Sequence, residues 1–307
     1  MTPKNVRNLA ASHRAKLLAL SRSRAEDFQF VLGRWIVERF LYRLAISAHK
    51  GSFVLKGAML FLAWEGRLHR PTRDLDLLGF GSPDMDDVAR RIREVCSVPA
   101  NDGIVFALDG IEGQRIKEGA EYQGVRVSVP ASLDGARISM QIDVGFGDLV
   151  DPPPMELEFP VLLPLEPPVL RAYPPEAVIA EKFHAMAVLG IANSRMKDFF
   201  DIWTLSRSHP FDLAQLSRSI RGTFERRRSD VPETLPIALT AGFLEDPTKQ
   251  TQWAAFGKRL ALPDLPPLRQ VGEQIGSFLG PALRARIGTV STPRTWLPGG
   301  PWSDAVS

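Results

Sequence analysis

Nine prolines lie between Asp151 and Pro175, at positions 152, 153, 154, 160, 164, 167, 168, 174 and 175. Proline has no amide hydrogen and its ring fixes φ, so this density forbids a regular helix and most central strand positions. The chain is therefore expected to change character there. Before the stretch, short runs separated by glycines and polar turns predict mainly strands; after it, three- and four-residue spacings predict mainly helices. With 307 residues there is room for two modest lobes. The expected organisation is a first domain over 1–150, a proline-rich linker over 151–175, a helical domain over 176–287 and an extended tail over 288–307.

A hydrophobic share of 44% and a charged share of 24% supply enough apolar material for packed cores and exclude general disorder. No run of roughly 18 apolar residues marks a membrane span, and Met1 to Ala10 carries charge with no apolar run behind it, so a cytoplasmic location without membrane contact is expected. Cys96 is the single cysteine, which rules out an internal disulfide; in the helical run Asp84 to Val98 it reads as a small buried hydrophobe. The five histidines show no metal-ligand spacing. A net charge of +3 leaves a mild basic bias, gathered at His13 to Lys16, Arg22 to Arg24 and Arg218 to Arg228. Each cluster taken alone is a solvated helix face first and a phosphate-attracting surface second.

Apolar residues from Arg24 to His49 recur at helical spacing and predict one long amphipathic helix. Phe53 to Leu55 reads as a strand that turns at Lys56-Gly57-Ala58 into a helix over Met59 to Trp64. Asp74 to Gly79 reads as the next strand and Asp84 to Val98 as a helix. Further strands are expected over 104–107, 113–117, 124–129 and 137–144, and helices over 176–189, 196–206, 213–226 and 271–284. The Trp and Phe residues of the last third read as core.

The chemistry concentrates on Lys56-Gly57-Ala58 and on Arg70-Pro71-Thr72-Arg73-Asp74-Leu75-Asp76-Leu77-Leu78-Gly79. Residues two apart in a strand point the same way, so Asp74 and Asp76 project together while Leu75 and Leu77 face the core. Paired carboxylates repel unless a cation lies between them, and magnesium commonly takes one or two carboxylates together with substrate phosphates. Two-metal nucleotidyl transfer calls for a third acid. Asp143, in Gln141-Ile142-Asp143-Val144, is an acid among apolar strand residues and is the candidate. Gly57 permits close approach of backbone to phosphate, the amides of the following helix form an anion site, and Lys56 or Arg73 could add positive charge.

This arrangement resembles the polymerase-β nucleotidyltransferase superfamily. More narrowly, Lys56-Gly57-Ala58, the 70–77 motif, Glu181-Lys182 and the run Arg195-Met196-Lys197-Asp198-Phe199-Phe200-Asp201-Ile202-Trp203 resemble the AbiEii/AbiGii toxin family, which includes the mycobacterial MenT toxins. The resemblance covers about two thirds of the chain, from the first long helix through Trp203. It implies an α/β (α+β) protein, with a polymerase-β-like domain built on a small mixed sheet, a mostly helical domain behind it and the site in the cleft between them. It also implies transfer of a nucleoside monophosphate from an NTP, with Mg2+ or Mn2+, to the 3′ end of tRNA, and a cognate antitoxin with a winged-helix domain. Carried over by motif, Asp74 and Asp76 would ligate metal with Asp143 as the third acid. Lys182, with Arg195 nearby, would hold the triphosphate, and Asp198 would be the acid of the last motif. Ala58 stands where the superfamily commonly has serine or a second glycine, so a hydroxyl contact to phosphate is lost while the backbone amide remains.

Two other readings stay open: a transferase acting on a small molecule such as an antibiotic or on a protein hydroxyl, and an inactive module that binds RNA or a partner. Clustered carboxylates would oppose RNA phosphates in a pure binding module, which counts against the latter. For the downstream motif, the simpler reading is a pair of salt-bridged helices, since residues three and four apart share a helix face.

Overall fold

The computed structural model describes residues 3–66, 74–118, 122–260, 262, 264–285 and 294–304, with side chains from residue 9 onward except at 117, 118, 122 and 123. The chain divides into one unit made of Met1–Asp148 with Pro154–Tyr173 and a second made of Leu149–Pro153 with Pro174–Ser307.

The first unit runs α1 (Pro3–Arg24), α2 (Phe28–Ile46), β1 (Phe53–Lys56), α3 (Met59–Glu65), β2 (Asp74–Gly79), α4 (Met85–Ser97), β3 (Ile104–Phe106), β4 (Glu112–Glu118), β5 (Tyr122–Leu133), β6 (Ala136–Phe146), β7 (Met155–Glu158) and β8 (Val169–Ala172). The helical spacing predicted from Arg24 begins instead at Phe28. Ala25 adopts a positive φ of 52°, and the Asp27 carboxylate caps α2 by accepting the Phe30 amide at 3.0 Å. Asp84 caps α4 in the same way through the amides of Asp86 and Asp87.

The strands form one sheet in the order β3-β5-β6-β2-β1-β8-β7, with β4 also paired to β5. It is mixed: β2 runs parallel to β6 and β1 parallel to β8, while β1 and β2 are antiparallel. Leu75, Leu77, Ile142 and Val144 are fully buried on its inner face, where α2 packs on β6. The proline-dense stretch contributes the strands β7 and β8; their residues contain no proline, so the ladder loses no amide where it pairs.

The longest hairpin, β5–β6, is joined by Asp134-Gly135, with φ of 46° and 79°. Two residues in the left-handed region make the tight turn whose twist matches that of the flanking strands. That turn fixes the register: Leu133 pairs with Ala136, and the ladder continues without a slip to Arg126 opposite Asp143 and Val125 opposite Val144.

The second unit runs α5 (Pro175–Leu189), α6 (Met196–Ser208), β9 (Phe211–Asp212), α7 (Leu213–Arg226), α8 (Ala241–Leu244), α9 (Pro247–Arg259), α10 (Leu268–Arg284), β10 (Arg294–Trp296) and β11 (Trp302–Asp304). Pro175 opens α5, a position where a missing amide hydrogen costs nothing. The aromatic residues are core, as expected: Phe278 packs on Trp296 and Trp302 with ring centres 5.0 and 5.9 Å apart. The indole nitrogens of Trp296 and Trp302 donate to the carbonyls of Ser206 and Phe278. Within the expected tail, 294–304 is a hairpin that extends β9 into a three-stranded sheet; residues 288–293 and 305–307 lie outside the described residues.

Among the described residues no helix is long and apolar enough to cross a membrane. Cys96 is buried and its thiol is pushed up to about 12 by that burial, which leaves it an inert hydrophobe at neutral pH.

Candidate active site

Alternation along β2 places Asp74 and Asp76 on the outer face, with Leu75 and Leu77 buried beneath them. Parallel pairing sets Gln141 beside Asp74 and Asp143 beside Asp76, so the three acids named by sequence lie on one face of two adjacent strands. Their carboxylates are nevertheless held differently. Gln141 Nε2 donates to Asp74 Oδ1 at 3.0 Å. Asp143, buried at 8% exposure, accepts from Arg126 Nε and Nη2 at 2.8 Å each. Arg126 is raised above its ordinary basicity first by that hydrogen bond and then by the negative fields of Asp143, Asp74 and Asp76. Among the described residues no three His, Cys, Asp or Glu side chains stand close enough together to hold one ion. Asp74 and Asp76 alone meet the usual protein share of a magnesium site, which is one or two carboxylates completed by phosphate and water.

At the edge of this face, β1 ends in Lys56, which pairs in register with Asp76. Gly57 follows with φ of +76°, and a Cβ there would stand 2.7 Å from Asp76 Cβ, closer still to its Oδ2. Glycine is thus required twice, by the backbone conformation and by the carboxylate beside it. Ala58 is buried, and α3 begins at Met59 directly behind the turn. Lys56 is buried and donates to Asp148 Oδ2 at 3.0 Å, with its ammonium 5.8 Å from the Tyr173 ring centre. Arg73, with the rest of Arg70-Pro71-Thr72-Arg73, lies outside the described residues.

The downstream motif makes a separate cluster in the second unit. Lys182 on α5 bonds Asp198 Oδ1 at 3.0 Å and Asp201 Oδ2 at 2.7 Å, and Arg195 Nε reaches Asp198 Oδ2 at 2.5 Å. Both aspartates are fully buried. Burial alone would raise the Asp198 carboxyl, but Lys182 and Arg195 together outweigh it and hold the group below its ordinary range. Asp198 has an oxygen on each cation and so fixes the pair; these are not solvent-exposed helix pairs of the kind the spacing alone suggested. Nearby, Arg227 pairs with Glu181 at 3.7 Å, and His184 Nε2 lies 2.9 Å from Ser229 Oγ. In the basic run, Arg221 is tied to the carbonyls of Leu283 and Ala285, while Arg218, Arg226 and Arg228 are exposed.

A family model described as nucleotidyl transferase AbiEii toxin, type IV TA system, matches residues 39–275, which contain both charged clusters. The chain belongs to this family. AbiEii proteins are nucleotidyltransferases, so this chain is an enzyme of that class and the toxin component of a type IV toxin–antitoxin system, which brings an antitoxin partner with it. Among solved structures, JHP933 from Helicobacter pylori is 17% identical with a TM-score of 0.39, over 78% of this chain and 89% of that one. A second H. pylori structure, described as a nucleotidyltransferase, is 17% identical with a TM-score of 0.36, over 78% and 92% of the two chains. No curated protein matches the chain by sequence.

Two residues that hold this face together carry no motif of their own, Arg126 and Asp148. The signal for Arg126 was present in the Asp134-Gly135 turn. A two-residue hairpin fixes which residues oppose each other, and Arg126 and Asp143 each lie eight positions from their own end of it. Asp148 follows the strand in a loop, where spacing predicts nothing.

Proposed function

We propose that this AbiEii protein transfers a nucleoside monophosphate from an NTP to the 3′ end of tRNA. In this reading Asp74 and Asp76 hold Mg2+ (or Mn2+), and an antitoxin with a winged-helix domain restrains the enzyme in the cytoplasm. The observation that carries the nucleotidyl-transfer chemistry is the pairing of Asp74 and Asp76 on one strand face with the Gly57 turn against Asp76. Oxygen donors of this kind suit a hard divalent ion, which when bound neutralises triphosphate charge and favours attack at phosphorus.

The chain's own residues do the rest. The backbone at Gly57 and Ala58, opening α3, receives phosphate oxygens, and Lys56, fixed by Asp148, adds a nearby positive charge. Asp143 can act as the third acid only by turning from Arg126, whose guanidinium is then released toward the phosphates. Lys182 and Arg195, aligned by Asp198, supply cations for the triphosphate. The acceptor hydroxyl oxygen bonds to the α-phosphorus, the α–β bridging bond breaks, pyrophosphate leaves and the hydroxyl proton passes to solvent. Exposed Arg218, Arg226 and Arg228 favour RNA as acceptor, because cationic side chains gain by releasing counterions from phosphates.

The test is incubation of the purified protein with each labelled NTP and total RNA, then separation by size. Label in the tRNA band, lost in high salt, is the expected result. Label confined to small molecules or to protein would replace the acceptor and leave the transferase chemistry standing.

A further inference from the structure

The first unit contains a cavity of about 530 Å3 between α2 and β6 that none of the catalytic motifs explains. Its size lies within the range of small-molecule sites. Phe30, Met59, Ile138 and Met140 provide apolar walls, and Asp27, Gln29, Arg34 and Ser139 are its polar side chains. Two of its residues are close along the chain to the Gly57 turn and to Gln141. Met59 opens α3 directly after the Gly57-Ala58 turn. Ser139 precedes Gln141, the residue that bonds Asp74, by one pleat, roughly 7 Å along the strand.

Arg34 is the anomaly. Its side chain is only 12% exposed, its nearest acid is Glu26 at 3.8 Å, and its buried Nε has no hydrogen-bond partner. Glu38, one helical turn on along α2, is a carboxyl that burial pushes up to about 7. A shielded guanidinium N–H left without an acceptor costs stability, and such a group is retained where something else supplies the acceptor.

We propose that this cavity binds a nucleobase, with Arg34 donating to two acceptor atoms on the base edge and the apolar walls contacting the ring faces. The guanidinium is a flat fork that fits paired acceptors, such as O6 and N7 of guanine or O2 and N3 of cytosine. A phosphate fits less well, since one cation among apolar walls cannot offset the desolvation of a dianion. The base belongs either to the NTP or to the 3′-terminal nucleotide of the acceptor. The inference rests on the nucleotidyl-transfer reading of the same unit.

The experiment compares wild type with Arg34→Met and Arg34→Lys in three measurements. These are melting without ligand, transfer with each of the four NTPs and with RNA oligonucleotides differing only in the last base, and binding of the four free nucleosides by ligand-observed NMR. Arg34→Met should melt at or above the wild-type temperature, because a shielded N–H without an acceptor is gone. Its preference among bases should fall by about 10-fold or more, the discrimination expected of one bidentate contact. Loss of preference among NTPs assigns the cavity to the NTP, and loss among RNA ends assigns it to the acceptor. A folded Arg34→Met protein with wild-type preferences in both assays overturns the proposal, as does a melting temperature lowered by more than about 5 °C, which would make Arg34 structural. If wild type transfers nothing, nucleoside binding decides: binding lost in Arg34→Met keeps the cavity while the transfer reading falls, and no binding overturns the cavity too.

Discussion

Arg126 and Asp143 oppose each other across the β5–β6 hairpin, and the guanidinium holds both carboxylate oxygens at 2.8 Å. The charge of Asp143 is therefore offset by the protein itself. This pair sets a competition: any cation that recruits Asp143 must displace Arg126, and any loss of Arg126 leaves the face more negative.

Arg126→Ala should accordingly bind Mn2+ several-fold more tightly than wild type in the absence of nucleotide, while transferring more slowly because the phosphates lose a donor. Titration calorimetry reads the affinity directly. Equal or weaker ion binding by the variant would show that Arg126 does not compete for Asp143.

Asp76→Ala should keep the wild-type melting temperature to within a few degrees and lose nucleotidyl transfer, since the carboxylate lies on the outer face where its removal opens no cavity. Asp74→Ala should behave alike. A folded Asp76→Ala protein with full activity would remove β2 from the chemistry.

Lys182→Ala should destabilise the second unit by about 3–5 kcal/mol, because it leaves the fully buried Asp198 and Asp201 short of a cation. Its effect on nucleotide use must then be measured well below the lowered melting temperature, beside Lys182→Arg, which keeps the charge. Lost NTP binding in the alanine variant with retention in the arginine variant is the expected pattern; intact NTP binding in both would leave Lys182 a purely structural residue.

Glu38 gives a pH signature. It is 1% exposed, accepts the Leu162 amide at 2.7 Å, and burial raises its carboxyl from 4.5 to about 7. Between those values the folded protein keeps a proton that the unfolded chain has released. The stability this proton confers is complete below about 4.5 and is lost as pH rises through about 7. Glu38→Gln can keep the amide bond and remains neutral, so it should exceed wild type in stability by on the order of 3 kcal/mol near pH 8 and match it near pH 4. Denaturant melts at the two pH values decide, and a pH-independent difference would refute the assignment.

Much of this architecture is legible in the sequence because its signals are local. Asp84 announces α4 by capping it, and the alternation of acids and leucines in Asp74 to Leu77 announces both a strand and its outer face. The resemblance of the motifs to AbiEii proteins is matched by a family model over 39–275. What escaped depends on long-range geometry. The strands β7 and β8 are four residues each amid prolines and owe their existence to neighbours in the sheet. The burial of Asp198 and Asp201 cannot be read from a three-residue spacing that equally describes a surface pair. The Lys56–Asp148 bond joins positions 92 apart.

The Asp134-Gly135 turn aligns the Arg126–Asp143 pair from a distance. Eight residues of extended chain, roughly 27 Å, separate it from Arg126 and Asp143. Because strand side chains alternate faces, a register slip of one residue started at that loop would send one partner of the pair to the inner side of the sheet. For a cell that carries such a toxin, the loop is then a place where a one-codon insertion that shifts the register silences the gene product without touching Asp74, Asp76, Asp143 or Lys182.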